Sequence, residues 1–168
     1  SRSDAYAASS VLTAMLTSAL FVVATLQAKP IDLVGAWETK VQFTTGDFSS
    51  VKDLKFLMVF NQGGTMVESS NYDAAPPVPP AYGIWRKTGV GRYEAKYVFY
   101  ITKAPSKFDE IASGGGWMPD GKGILLEKIS LSKDGKSYKS NLSMTIFDSK
   151  GKAGETWKAV CQGVRMKF

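Results

Sequence analysis

The sequence contains no histidine, and this absence sets the first limit on its chemistry. Ser–His–Asp and Cys–His nucleophilic sites need an imidazole as the base, and many zinc sites need one as a ligand. The single cysteine, Cys161, lies among strand residues and has no second cysteine with which to form an intrachain disulfide. We therefore expect Cys161 to be a small buried apolar residue, and we predict neither a metal site nor a cofactor.

Carboxylates are the remaining candidates for acid–base chemistry. Glu127 stands out because Leu125, Leu126 and Ile129 surround it, and in an alternating strand it shares a face with Leu125 and Ile129. A glutamate that points into a core has a raised pKa and can act as an acid or hold a ligand amine. The alternative is that Glu127 faces solvent across an irregular strand. Other carboxylates are available at Asp47, Glu68, Glu94, Asp109 and Glu110.

Aromatic side chains are the best candidates for binding a ligand, since they make up 12% of the chain. On the inward face of a sheet they would line a cavity for a small hydrophobic molecule, or they would simply fill the core. Both interpretations stay open at this point. The predicted ligand-binding residues are Phe43, Phe56, Met58, Tyr82, Trp85, Tyr93, Tyr97, Phe99 and Trp117.

Turn residues and alternating apolar residues indicate that these side chains are carried by β-strands. The clearest alternation runs from Arg92 to Lys103, where every second residue from Tyr93 to Ile101 is apolar. No convincing helix is predicted beyond residue 30. The predicted strands span residues 33–45, 54–61, 65–69, 83–87, 92–103, 124–132, 137–148 and 155–168.

The short links between these strands favour sequential antiparallel pairing, because parallel pairs need long crossovers. An open meander of about eight strands would leave two exposed edges, and pairing the last strand with the first removes both. The predicted fold is therefore all-β, an antiparallel up-and-down (meander) barrel of about eight strands and lipocalin-like. An open sandwich is the alternative.

Two long connections interrupt the strands. The first, Ser70–Tyr82, contains four prolines, which cannot donate ladder hydrogen bonds. The second covers residues 104–122 and has Gly114–Trp117 at its centre. Each is interpreted as a stiff surface connection or a pinned loop. The alternatives are a lid over a ligand or, for the proline-rich loop, a surface for a protein partner.

The N-terminal residues differ from the rest of the chain. Val11–Leu26 contains no charged residue, proline or glycine, and Ala24 or Ala28 is a plausible cleavage position. This pattern is typical of a signal peptide and is too short for a confident membrane span. We predict a signal peptide over residues 1–28, a single barrel domain over 29–168, and a secreted or periplasmic location. An apolar helix that packs on the barrel is the alternative.

The formal net charge is +6, but the lysines are scattered and the sequence has only four arginines. A nucleic-acid-binding surface would cluster these charges among aromatic residues, so no nucleic-acid partner is predicted. Lysines near turns and on outward positions are typical of a solvated surface that protects strand edges.

Two short motifs give the chain a family resemblance. Gly35-Ala36-Trp37 opens the first strand, and Gly163-Val164-Arg165 lies in the last. This pair resembles the calycin (lipocalin-like) pattern, in which a Gly-x-Trp on the first strand packs near a basic residue on the final strand. The segment Gly83–Gly89, followed by Tyr93, is similar to a group of bacterial secreted lipocalin-like proteins.

The resemblance implies a barrel in which Trp37 and Arg165 plug one end through a cation–π contact. It transfers a fold more than a function. We expect a secreted protein that binds a small hydrophobic ligand, and catalysis is the less favoured alternative. The other possibilities are a metal-independent barrel enzyme of the isomerase or cyclase type, with Glu127 as its acid, and an interaction or inhibitor protein that uses the proline-rich loop.

Overall fold

The computed structural model describes residues 31–72, 78–107, 109 and 117–168. The predicted signal peptide, Pro76 and Pro77, and Gly114–Gly116 lie outside the described residues. One short 3-10 helix, Asp47–Ser50, follows the first strand. The strands are Gly35–Phe43 (β1), Lys55–Phe60 (β2), Thr65–Ser70 (β3), Ala81–Gly89 (β4), Arg92–Lys103 (β5), Met118–Leu131 (β6), Ser137–Phe147 (β7) and Ala153–Arg165 (β8).

The eight strands form one closed antiparallel barrel in sequential order, which confirms the predicted up-and-down fold. Closure comes from the pairing of β1 with β8, which runs from Trp37 opposite Arg165 to Phe43 opposite Ala159. Because each strand pairs with its neighbours on both sides, the sheet has no free edge. The alternation predicted for β5 is also present, since Tyr93, Ala95 and Tyr97 are buried in succession on one face.

The sixth strand begins at Met118, whereas the sequence pattern predicts a start at Ile124. Residues 118–123 contain a proline and two glycines, which are typical of a turn. They nevertheless continue the ladder opposite the end of β5, with a shift in register between Ile101 and Thr102. Pairing with a long neighbouring strand therefore overrides the local turn preference.

The two ends of the barrel differ in their connections. Short turns join β2 to β3, β4 to β5 and β6 to β7 at the end that carries Trp37, which we call the plugged end. The other four connections lie at the opposite end, which we call the cavity end. They include the 3-10 helix and both long loops, so the cavity end is where the chain has room to build a binding site.

Arg165 and Trp37 plug one end of the barrel. The Cζ atom of Arg165 lies 4.2 Å from the centroid of the Trp37 ring. The guanidinium also donates three hydrogen bonds to backbone carbonyls, at 2.8 Å to Gly135, 2.6 Å to Val34 and 2.6 Å to Asp32. One side chain on β8 thus ties the segment before β1 to the turn between β6 and β7.

Steric crowding at the plugged end explains why the first residue of the Gly-x-Trp motif is a glycine. Gly35 has a φ of 135°, a backbone conformation that other residues rarely adopt. A Cβ atom at this position would lie 2.8 Å from Nη1 of Arg165. Glycine therefore leaves room for the guanidinium to reach the carbonyls beneath it.

We expect Arg165→Lys to lower the free energy of unfolding by about 2 kcal/mol, because an ammonium cannot serve three carbonyls in the planar geometry of a guanidinium. Urea unfolding followed by tryptophan fluorescence measures this change. The matched control is Arg92→Lys, since the Arg92 side chain is exposed and donates to Ser130. Equal costs for the two variants would contradict the clamping role of Arg165.

Candidate functional site

A cavity of about 330 Å³ opens at the cavity end of the barrel. Its wall is mainly apolar, and six of the fourteen described residues that line it are aromatic. Pockets of this composition suit small hydrophobic molecules. The lining residues are Phe43, Phe48, Leu54, Phe56, Glu68, Ser70, Tyr72, Val78, Phe99, Ile101, Leu125, Met144, Ile146 and Trp157.

The rim of the cavity is an aromatic cluster centred on Phe48 of the 3-10 helix. The ring centroid of Phe48 lies 5.5 Å from that of Phe43, 5.0 Å from that of Tyr72 and 5.3 Å from that of Trp157. Gly46, just before the helix, has a φ of 79°, and a Cβ atom there would overlap the Trp157 ring. A side chain at position 46 would therefore displace a wall of the cavity.

Three of the predicted ligand-binding residues, Phe43, Phe56 and Phe99, line this cavity. Three others, Met58, Tyr93 and Tyr97, are buried but do not line it. The inward residues nearer the plugged end therefore fill the core of the barrel, whereas those nearer the cavity end line a cavity.

The remaining three predicted residues lie elsewhere. Tyr82 is 67% exposed, because it occupies an outward position of β4. Trp85 packs toward the plugged end against Phe60 and Tyr93, with ring centroids 6.0 Å and 5.8 Å away. Trp117 is 37% exposed and is not part of the lining. None of these three rings reaches the cavity, and the sequence did not indicate this.

Below the cavity, a buried polar layer crosses the barrel. Glu127 is 2% exposed, and both of its oxygens accept hydrogen bonds. Tyr97 donates to Oε2 at 2.8 Å, and Ser140 donates to Oε1 at 2.5 Å. The donors come from β5 and β7, the strands on either side of β6. Glu127 therefore points inward as its strand pattern predicts, but its hydrogen bonds are already made within the barrel.

A second polar contact continues the layer toward the plug. The hydroxyl of Tyr138 lies 2.6 Å from Oγ1 of Thr39 and donates to the sulfur of Met58 at 3.2 Å. The Tyr138 ring also packs edge-on against Trp37, with centroids 5.0 Å apart. The polar layer is thus anchored to the plugged end.

Among the described residues, Glu68 is the only carboxyl that lines the cavity. It is 6% exposed, and within the described part of the chain its carboxyl group makes no hydrogen bond or ion pair. Ser70 and Tyr72 also carry hydroxyl groups in the lining, but neither makes a hydrogen bond to Glu68. Glu68 is therefore a carboxyl of the site that is available to a ligand.

Burial and the nearby charge of Glu127 raise the pKa of Glu68 to about 8. Burial also raises the pKa of Glu127, although the hydrogen bonds from Ser140 and Tyr97 act in the opposite direction. Two donors to one carboxyl favour its ionised form. Glu68, with a pKa of about 8 and no donor to its carboxyl, is therefore the group of the site that exchanges its proton near neutral pH.

Cys161 is buried beside this layer, where it lies opposite Ser140 on β7 and Val41 on β1. Burial, followed by the charge of Glu127, raises the pKa of the thiol well above its usual value. The thiolate, which is the reactive form, is therefore scarce in the folded protein. The described residues contain no group of three or more Cys, Asp or Glu side chains placed to hold a metal ion.

The sequence pattern favoured Glu127 over Glu68 as the inward carboxyl. The residue spacing in β3 could also have indicated that Glu68 points inward. Met66 and Glu68 are two residues apart in β3, so they share a face. Met66 is buried, and Glu68 is therefore inward as well. Trp157 could have been found in the same way, because it lies two residues before the buried Ala159 on β8. Phe48 could not, because its position depends on the 3-10 helix.

The fold and the cavity together define a closed antiparallel barrel with an apolar cavity at one end. Comparisons with protein-family models, curated proteins and solved structures find no match to the chain. The calycin resemblance of the sequence therefore stays a prediction. Among the described residues, no helix has the length and apolar character that a membrane crossing requires.

We expect the free energy of unfolding to fall as the pH rises from about 5 to about 8. Native Glu68 holds its proton up to a pKa of about 8, whereas the unfolded side chain loses it near its ordinary pKa of 4.5. The native state thus binds more protons in this range, and the slope reaches at most about 1.4 kcal/mol per pH unit for one group. Glu68→Gln should reduce the slope, as measured by urea unfolding at several pH values.

The slope should not vanish in Glu68→Gln, because the raised pKa of Glu127 contributes in the same direction. Glu155→Gln provides the matched control, since Glu155 is exposed on β8. Parallel slopes for the wild type and Glu68→Gln would contradict the raised pKa of Glu68.

Proposed function

We propose that this protein is an exported binding protein that takes up a small apolar molecule in the cavity between the β1–β2 and β3–β4 connections. The observation that carries the proposal is the cavity itself, about 330 Å³ of mostly apolar space in a barrel whose other half is filled. An apolar interior of this size is costly to leave in contact with water, and an apolar ligand would remove that cost.

The proposed relationship to calycins supports the same function. It draws on the contact between Trp37 and Arg165, which joins the first and last strands as the resemblance implies. Export is inferred from the apolar segment Val11–Leu26 of the sequence. Binding an apolar molecule outside the cytoplasm is a task for which a stable closed barrel with one open end is well suited.

An interaction or inhibitor role for the proline-rich loop is less well supported. That role would be favoured by a completely filled barrel with an apolar surface beside the loop. The barrel instead keeps a cavity, and Tyr72 and Val78 at the two described ends of this loop contribute to its wall. Tyr72 and Val78 are therefore better explained as part of the binding site.

Acid–base catalysis on a bound apolar substrate is the second candidate function, and Glu68 is the observation in its favour. A carboxyl with a pKa of about 8 in an apolar cavity can exchange a proton near neutral pH. Glu127 was the acid proposed from the sequence, but its hydrogen bonds to Tyr97 and Ser140 occupy both oxygens, and it does not line the cavity. Any such reaction would therefore use Glu68.

Filling the cavity should abolish binding without unfolding the barrel. We expect Ile146→Trp, at a half-buried position of the wall, to weaken the binding of n-decanol by at least about tenfold, because the larger ring occupies the space of the ligand. Isothermal titration calorimetry measures the affinity, and native mass spectrometry of the wild type from its own source detects any retained molecule.

The matched control is Val164→Trp, which adds the same ring at an exposed outer position of β8. Circular dichroism checks that both variants fold. Equal affinities in Ile146→Trp and Val164→Trp would place the binding site outside the cavity and overturn the proposal.

A further inference from the structure

Two carboxyl groups lie inside the barrel, and no positive charge accompanies them. Glu68 and Glu127 are the only charged side chains among the buried residues that the structure describes. Every lysine in the described ranges is exposed or half-buried, and Arg165, at the plugged end, is the one arginine that is even half-buried. A buried charge ordinarily has a partner of opposite sign or a metal ion.

The two groups are not equally available to a ligand. Glu127 is held by hydrogen bonds from Tyr97 and Ser140 and lies below the cavity. Glu68 lines the cavity and makes no hydrogen bond or ion pair with a described residue. A ligand in the cavity can therefore meet Glu68 directly, whereas Glu127 is outside the lining of the cavity.

We propose that the ligand is an amphiphilic amine, whose apolar body fills the cavity and whose protonated amino group pairs with the carboxylate of Glu68. This inference rests on the proposed binding function and names the chemical class of the ligand. An ammonium group supplies the positive charge that the interior lacks and donates to the carboxyl that has no partner.

The surroundings of Glu68 favour a cation over other polar groups. An ionised carboxyl in this interior, where the dielectric constant is low, attracts a cation and repels an anionic headgroup. The aromatic wall does not oppose this, because ring faces such as those of Phe48, Tyr72 and Trp157 also attract cations. A neutral ligand would gain only one hydrogen bond from the same carboxyl.

The pKa of Glu68, about 8, adds a pH dependence to the proposed pairing. Around neutral pH the empty site holds its proton, and an alkylammonium ion must displace it. The other titratable groups of the interior are Glu127, Tyr97, Tyr138 and Cys161, and burial raises the pKa of each. Tyr97, Tyr138 and Cys161 keep their protons from pH 6 to 8. Glu68 is therefore the group whose protonation changes when a cationic ligand binds.

The test compares n-decylamine with n-decanol and decanoate by isothermal titration calorimetry of the full chain. At pH 8 we expect decylamine to bind at least about tenfold more tightly than decanol, with decanoate the weakest. The affinity for decylamine should rise by up to about tenfold per pH unit between pH 6 and 8. The reason is that the free-energy cost of removing the proton from Glu68, which opposes pairing, becomes smaller as the pH approaches the pKa of Glu68. The affinity for decanol should not rise.

Glu68→Gln should remove the preference for decylamine over decanol, whereas Glu155→Gln should keep it. If circular dichroism shows that Glu68→Gln does not fold, Glu68→Met is tested instead, because it also removes the carboxyl. Equal binding of amine and alcohol by the wild type would overturn the amine inference and leave the binding function standing. An amine preference that persists without Glu68 would overturn its assigned role, and binding of none of the three probes would overturn both proposals.

Discussion

The pairing of β1 with β8 is the contact on which the rest of the structure depends. It converts a meander with two exposed edges into a closed barrel and fixes what lies at each end. At one end it sets Trp37 opposite Arg165, where the guanidinium reaches three backbone carbonyls. At the other end the same register carries Phe43 into the wall of the cavity. The plug and the site are therefore two outcomes of one strand pairing.

The two buried carboxyls, Glu68 and Glu127, make the interior of the barrel less stable than an entirely apolar core would be. An apolar residue in place of a buried carboxyl is often neutral or stabilising in a protein core. The hydrogen bonds from Tyr97 and Ser140 offset part of the cost of Glu127, but no described residue offsets the cost of Glu68. A group left in this state inside a cavity is explained better by what enters the cavity than by the stability of the empty barrel.

Strand alternation and turn residues were sufficient to predict the barrel, because each signal is local and recurs from strand to strand. The inward direction of Glu127 followed from its spacing to Leu125 and Ile129. The division of the barrel into a filled and a hollow layer could not be predicted, since it depends on barrel geometry and on the 3-10 helix that brings in Phe48. Tyr82 illustrates the limit, because it was predicted among the inward aromatic residues and lies on the outer face of β4.

The position of Cys161 has a consequence for measuring how the barrel opens. The thiol lies on β8 at the seam with β1, opposite Val41, and it is the sole cysteine of the chain. Since the buried thiol is both shielded and protonated, an alkylating reagent reacts with it only when β8 separates from a neighbouring strand, β1 or β7, or the interior opens in another way. The rate of alkylation thus reports how often the barrel opens around β8, and comparing it with and without a bound ligand would relate occupancy of the cavity to the integrity of the barrel.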